Sequence, residues 1–160
     1  MKKDRMKIFS DIKVGDEFHS TCSISKKELD DYLNFSRIKN VLLEDTTKKN
    51  YLVSGRAILA RMEGEFTRLS QIYGNILIYI GSDGDANWNN RSTRFVKPLT
   101  SDEVLKIKFT VSGKEDVNAE YGKIAIDYEG TKQNGDLVVL SKKNWYRIKK
   151  KPPMNQEITL

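Results

Sequence analysis

Hydrophobic and polar positions divide the chain near Tyr73. The stretch from Ser54 to Tyr73 (SGRAILARMEGEFTRLSQIY) has no proline, with Gly55 near its start and Gly74 just past its end. At about 3.6 residues per turn, Ile58, Leu59, Met62, Phe66, Leu69 and Tyr73 fall on one broad arc, which predicts a long helix buried along that side. Ala57, Ala60 and Gly64 share a second side, where another backbone can approach closely, and Arg56, Glu63 and Thr67 share a third. Beyond Tyr73 the chain reads as strands. Asn75 to Gly81 is continuously apolar and predicts a buried strand; Trp88 to Val96 predicts another, closed by Lys97-Pro98. From Val104 to Val111, Leu105, Ile107 and Phe109 alternate with Lys106, Lys108 and Thr110. Tyr121 to Tyr128 and Val138 to Ile148 are two more strands. Asn134-Gly135 between them predicts a hairpin with positive φ at both turn residues.

Before the long helix the pattern is weaker. Phe9 to Glu17 is a lead-in with a turn at Gly15-Asp16, and Phe18 to Ile24 alternates enough for a first strand. Ser25-Lys26-Lys27-Glu28 reads as a capping box, with Ile24 and Leu29 as its apolar staple. Leu29, Tyr32, Leu33 and Phe35 supply the apolar face of a short helix running to about Ser36. Arg37 to Val53 predicts a polar loop with a basic tip at Lys48 and Lys49, in which Val41, Leu42 and Leu43 are partly buried. The order is strand, short helix, loop, long helix and five strand-like segments. It predicts an α+β fold, an antiparallel sheet wrapped around one long helix.

Length and composition narrow the classes. The 160 residues fit one domain over 1–160, with 150–160 as a flexible tail around Pro152-Pro153. No apolar run approaches the ~20 residues of a membrane span, and MKKDRMKIF leads into no apolar signal region. A lone Cys22 fits a reducing cytoplasm. It is a poor nucleophile candidate, since the only histidine, His19, falls on the opposite face of the same strand. Net charge is +6, with basic clusters at Lys2, Lys3, Arg5 and at Lys142, Lys143, Lys149, Lys150, Lys151, unaccompanied by any nucleic-acid motif. Ser82-Asp83-Gly84-Asp85 reads as a turn, spaced for neither an EF-hand nor a P-loop; no metal or cofactor is expected.

With FSDIKVGDEF followed by SISKKELDDYLNFS, with Ser54-Gly55 opening the long helix, and with STRFVKPLTSDEVLKIKFTV, the chain resembles the hotdog fold and, within it, the MaoC-like hydratase/dehydratase family. Arg94, Phe95 and Pro98 stand in that family's places, while Ser101 replaces its usual glycine. Active members carry Ser-Gly-Asp-x-Asn-Pro-x-His, whose Asp and His activate the water added across a 2-enoyl thioester. This chain reads Ser36-Arg37-Ile38-Lys39-Asn40-Val41-Leu42-Leu43. Ser36 and Asn40 match, and Asp45 matches an acidic position beyond the motif, but the acid falls on Ile38 and the base on Leu43. Neither side chain can move a proton.

The helix start has its own chemistry. Free N–H groups and positive partial charge gather there, and Gly55 either admits a ligand or relieves packing. In hotdog enzymes this position binds the thioester carbonyl oxygen, as an oxyanion hole does. The resemblance therefore implies an acyl-CoA or acyl-carrier-protein thioester as ligand and a homodimer or dimer of dimers as assembly. Gly55, Arg56, Asn40, Ile38 and Leu43 would contact the ligand, without hydratase activity. A second reading is a thioesterase using Glu63, eight residues after Gly55, with Glu65 as its neighbour and a salt bridge to Arg56, Arg61 or Arg68 as the plain alternative. The least favoured reading is an anion- or nucleic-acid-binding module built on the basic clusters with Trp88, Trp145 and Tyr146.

Overall fold

A computed structural model of the chain describes residues 6–39, 51–73, 76–77 and 92–151. After a single turn of 3-10 helix at Phe9–Asp11 come β1 (Glu17–Cys22) and α1 (Lys26–Ser36). The long helix α2 (Gly55–Arg68) follows, then β2 (Ile76–Leu77), β3 (Ser92–Phe95), β4 (Leu105–Asp116), β5 (Tyr121–Lys132) and β6 (Leu137–Lys149). All strand pairs are antiparallel. The sheet runs β1-β4-β5-β6-β2, and β3 also pairs with β6. Two short strands thus share the outer edge of β6, with β3 beside Val139–Lys142 and β2 beside Arg147 and Ile148.

Alternation in β4 turns Leu105, Ile107, Phe109 and Val111 inward, all nearly free of solvent. They meet Ala57, Ile58, Met62 and Phe66 of α2. The Phe66 ring sits 6.4 Å from Phe18, 5.2 Å from Phe109 and 5.1 Å from Tyr146, centroid to centroid, within the range where tilted aromatic pairs attract. The sheet bends to surround the helix at bulges. Register shifts occur between Val111 and Gly113 and between Ile126 and Tyr128, where an extra residue kinks the strand. There the Asp127 carboxylate accepts from the Ser112 hydroxyl at 2.7 Å and from the Lys143 N–H at 2.9 Å. Lys143 itself holds a left-handed φ of 60°.

Ser25 caps α1 as the capping box requires: its Oγ accepts from the Glu28 N–H at 3.1 Å, and the Glu28 carboxylate accepts from the Ser25 N–H at 3.2 Å. The staple residues Ile24 and Leu29 are buried. Phe35 is not part of the apolar face, being 88% exposed. Six residues on from Leu29, it stands about 120° away around the helix. The long helix stops at Arg68, short of Tyr73. A further turn, with the Ile72 N–H donating to Leu69 O at 2.9 Å, carries Ile72 into the core and leaves Tyr73 68% exposed. Among the described residues none packs closely at Gly64 on the small-residue side of α2, where a Cβ would meet nothing within 4 Å.

The β5–β6 hairpin differs from the two-residue turn expected. The Gly135 N–H donates to Lys132 O at 3.0 Å and the Lys132 N–H to Asp136 O at 2.9 Å. Only Gly135 has a positive φ, of 89°. This is a three-residue loop with glycine in the bulge position, and the Asn134 side-chain oxygen accepts the Asp136 N–H at 3.0 Å. β4 and β5 run past their expected ends at Val111 and Tyr128, whereas β1 stops at Cys22, short of Ile24; the Lys114 ammonium, bonded to Ile12 O at 2.8 Å, ties the extension of β4 to the N-terminal segment. Val41 to Leu43, the Lys48-Lys49 tip, the Ser82–Asp85 turn, Trp88 and most of the 150–160 tail lie outside the described residues.

Replacing Gly135 by valine is expected to cost about 1–3 kcal/mol, because a β-branched residue is strained at that φ. Asn134→Ala should cost less, since Asn134 needs no positive φ. Thermal melts of the two variants check the order.

Candidate functional site

The start of α2 is held from two sides. Chain 51–53 lies antiparallel to 99–101. The Val53 N–H donates to Leu99 O at 2.8 Å, and the Ser101 N–H donates to Tyr51 O at 2.7 Å. The Tyr51 N–H donates to Ser101 Oγ at 3.0 Å. Ser101 is 1% exposed, and its hydroxyl holds the segment leading into the helix. On the second side lies β3. A Cβ built on Gly55 would stand 2.7 Å from the Phe95 ring, so close packing explains why the residue is glycine.

Ser54 is the N-cap, its Oγ accepting from the Ala57 N–H at 3.2 Å and its carbonyl from the Ile58 N–H at 3.1 Å. Among the described residues no group accepts from the Gly55 or Arg56 N–H. These two donors carry the positive end of the helix dipole, and Arg56 beside them is exposed. The arrangement suits a carbonyl oxygen or an anionic oxygen.

Of the degenerate motif, Ile38 lies just past α1, after Arg37 in a left-handed C-cap of φ 59°. Its N–H donates to Ser36 Oγ at 3.4 Å, and the residue is 38% exposed. Asn40 and Leu43 lie outside the described residues.

Glu63 turns inward. The Tyr146 hydroxyl donates to its carboxylate at 2.9 Å, and the Tyr146 and Tyr128 hydroxyls are hydrogen-bonded to each other. Both tyrosines are core residues, 1% and 3% exposed. Glu65 instead accepts from the Ser20 hydroxyl at 3.1 Å. Arg61 donates to Ser23 O at 2.8 Å and pairs with Glu28. The Ser25 backbone N–H, helped by the Arg61 guanidinium, holds the Glu28 carboxyl below its ordinary pKa. Burial, with Glu65 nearby, pushes the Cys22 thiol up to about 11, so it is un-ionised at neutral pH and a weak nucleophile.

Sequence reasoning missed the two tyrosines behind Glu63, because their spacing shows strand alternation but not what faces them. It also missed the open cleft of about 470 Å³ between α1 and α2, floored by Ala57, Ala60 and Gly64 and edged by Glu28, Glu65 and Arg68. The small residues on the second side of the helix were its signal. The nucleic-acid reading loses Tyr146, which is buried. Trp145 packs close to Gly113, with Lys123 at 5.3 Å from its ring centroid. Lys143 and Lys150 are bonded to Ser112 O and Asp116. Among the described residues no group of three or more His, Cys, Asp or Glu is placed to hold a metal, and no helix is long and apolar enough to cross a membrane.

No protein-family model matches the sequence, and no curated protein matches it. Solved structures do match in fold. A monoamine oxidase regulatory protein from Archaeoglobus fulgidus superposes with a TM-score of 0.75 at 16% identity, over 95% of this chain and 100% of that one. A MaoC-like dehydratase from Rhodospirillum rubrum gives 0.67 at 14% identity, over 91% and 99%. A protein from Mycobacterium tuberculosis with a double hotdog fold gives 0.69 at 14% identity, over 93% of this chain and 46% of that one. The chain is a hotdog protein, its curved antiparallel sheet closed around α2. MaoC-like dehydratases share this fold.

Removing the hydroxyl by Tyr146→Phe takes one hydrogen bond from each of Glu63 and Tyr128. A loss of about 1–3 kcal/mol is expected, measured by denaturant unfolding. Tyr121→Phe, on a half-buried strand-end tyrosine, is the control that should change little.

Proposed function

We propose that this protein binds an acyl thioester, carried on CoA or an acyl carrier protein, at the start of α2, and does not hydrate enoyl thioesters. The observation that carries the reading is the pair of N–H donors at Gly55 and Arg56, with no acceptor among the described residues, beside the apolar ring of Phe95. A carbonyl oxygen fits the donors, and an apolar chain fits the ring. Ile38 stands where the MaoC-like pattern keeps its acid, and Leu43 where it keeps its base. With neither proton carrier, water cannot be activated as in the active enzymes, and each positioned acid or base is worth roughly 10²–10⁴-fold. Asn40 belongs to the same ligand-contacting set. A reducing cytoplasm suits the lone Cys22.

We further propose a homodimer or dimer of dimers. Among the described residues the outer edge of β6 is lined by the short strands β2 and β3, and Val96 is 47% exposed there. Pairing with a second copy would cover it. Light scattering at micromolar concentration is expected to give at least a dimer; a monomer would remove this part of the proposal.

Thioester hydrolysis by Glu63 is the second reading, supported by the inward carboxylate held by Tyr146. Helical rise puts Glu63 about 12 Å along the axis from Gly55. One chain therefore cannot place both on the same carbonyl, and this reading needs Gly55 and Glu63 from different copies.

The test is an absorbance assay of crotonyl-CoA and longer enoyl-CoAs beside calorimetric titration with saturated acyl-CoAs. No significant hydration and measurable acyl-CoA binding are expected. Hydration at ordinary enzyme rates, about 1–10³ per second, would overturn the proposal. Thiol release that disappears in Glu63→Gln would favour the second reading.

A further inference from the structure

Phe95 is the unusual side chain at this site. It lies on a four-residue strand, β3, with its Cε1 and Cζ atoms 2.7 Å from where a Gly55 Cβ would be. One part of the ring is thus seated against the first residue of α2. The residue is nevertheless 48% exposed, and Val96 next to it is equally exposed. The local hydrogen bonding pins this segment. The Val96 N–H donates to Val138 O at 2.8 Å, and the Thr93 hydroxyl is bonded to that of Ser141, which is 1% exposed, at 2.9 Å. The ring is therefore presented by an anchored strand, beside the Gly55 and Arg56 donors.

We infer that Phe95 is the acyl-contacting residue of the site and sets its preference among acyl groups; this rests on the thioester-binding reading above. A carbonyl oxygen held by the donors at Gly55 leaves the first acyl carbons beside the ring that touches Gly55. The contact is apolar and not directional, so it rewards unbranched hydrocarbon and rejects a charged or strongly hydrated acyl group. It gives little to an acetyl group, which is too short to cover the ring. Affinity should accordingly rise with acyl length over the first several carbons, as the exposed part of the ring is covered.

The experiment titrates acetyl-, butyryl-, hexanoyl- and succinyl-CoA into the wild-type protein, Phe95→Ala and Phe95→Leu, with melting curves confirming that each variant is folded. In the wild type, hexanoyl-CoA is expected to bind more tightly than acetyl-CoA, and succinyl-CoA more weakly than butyryl-CoA. Phe95→Ala should lose roughly tenfold on hexanoyl-CoA, as expected for about half of a large apolar side chain's burial, and much less on acetyl-CoA. Phe95→Leu should recover part of that loss. Equal losses for acetyl and hexanoyl groups would make Phe95 a purely structural cover of Gly55 and overturn the inference while leaving thioester binding intact. The same holds if the length dependence is unchanged in Phe95→Ala. Failure of the wild type to bind any of the four would bring down the thioester reading itself, and this inference with it.

Discussion

The contact on which the molecule depends is the seat of Phe66 among Phe18, Phe109 and Tyr146. One side chain from α2 meets β1, β4 and β6 at once, so the helix and the three strands must be mutually placed before any of these pairs forms. Every other feature follows from this arrangement. The sheet has to curve, and bulges at Ser112 and near Asp127 let it do so. Small residues are needed where side chains cross strands: Gly122 leaves space for Phe9, and Gly130 lies near Met62 and Leu105. Because the helix is buried lengthwise, its first turn emerges at the margin of the sheet, beside β3.

Much of the fold was legible in the residue pattern, because long elements repeat a signal many times. Ile58, Met62 and Phe66 mark one helical face, and Leu105, Ile107 and Phe109 mark one strand face; each residue supports the others. Single-residue inferences did worse. Phe35 and Tyr73 are apolar and near the right spacing, yet both are exposed, since hydrophobicity alone does not fix where a helix turns away or stops. Asn134-Gly135 marked the hairpin correctly but not its loop length, because the Asn134 side chain accepts the Asp136 N–H and substitutes for a backbone turn.

The candidate site was legible only in part, for a different reason. A helix start has a sequence signature, Ser54 then Gly55, and the absence of proton-carrying side chains at Ile38 and Leu43 is visible by inspection. What covers the helix start is set by residues distant in the chain. Phe95 reaches Gly55 because β3 pairs with β6, and Ser101 reaches Tyr51 because two connecting segments run side by side. Neither pairing leaves a periodic trace. The partner of Glu63 was hidden in the same way, as Tyr146 reads only as one more inward position of a strand.

The bonds joining Tyr128, Tyr146 and Glu63 have a bearing on how uniquely the chain folds. Apolar contacts between a helix and a sheet are forgiving: a helix rotated by one residue or slid by one turn can still bury leucines and isoleucines. A core hydroxyl bonded to a half-buried carboxylate is not forgiving, because either displacement strands the tyrosine hydroxyls away from water. The three residues therefore act as a register mark between α2 and the sheet. They select one rotation and one axial setting of the helix out of several that would be similarly apolar. The position of Gly55 against Phe95 is inherited from that setting, two turns away along the same helix.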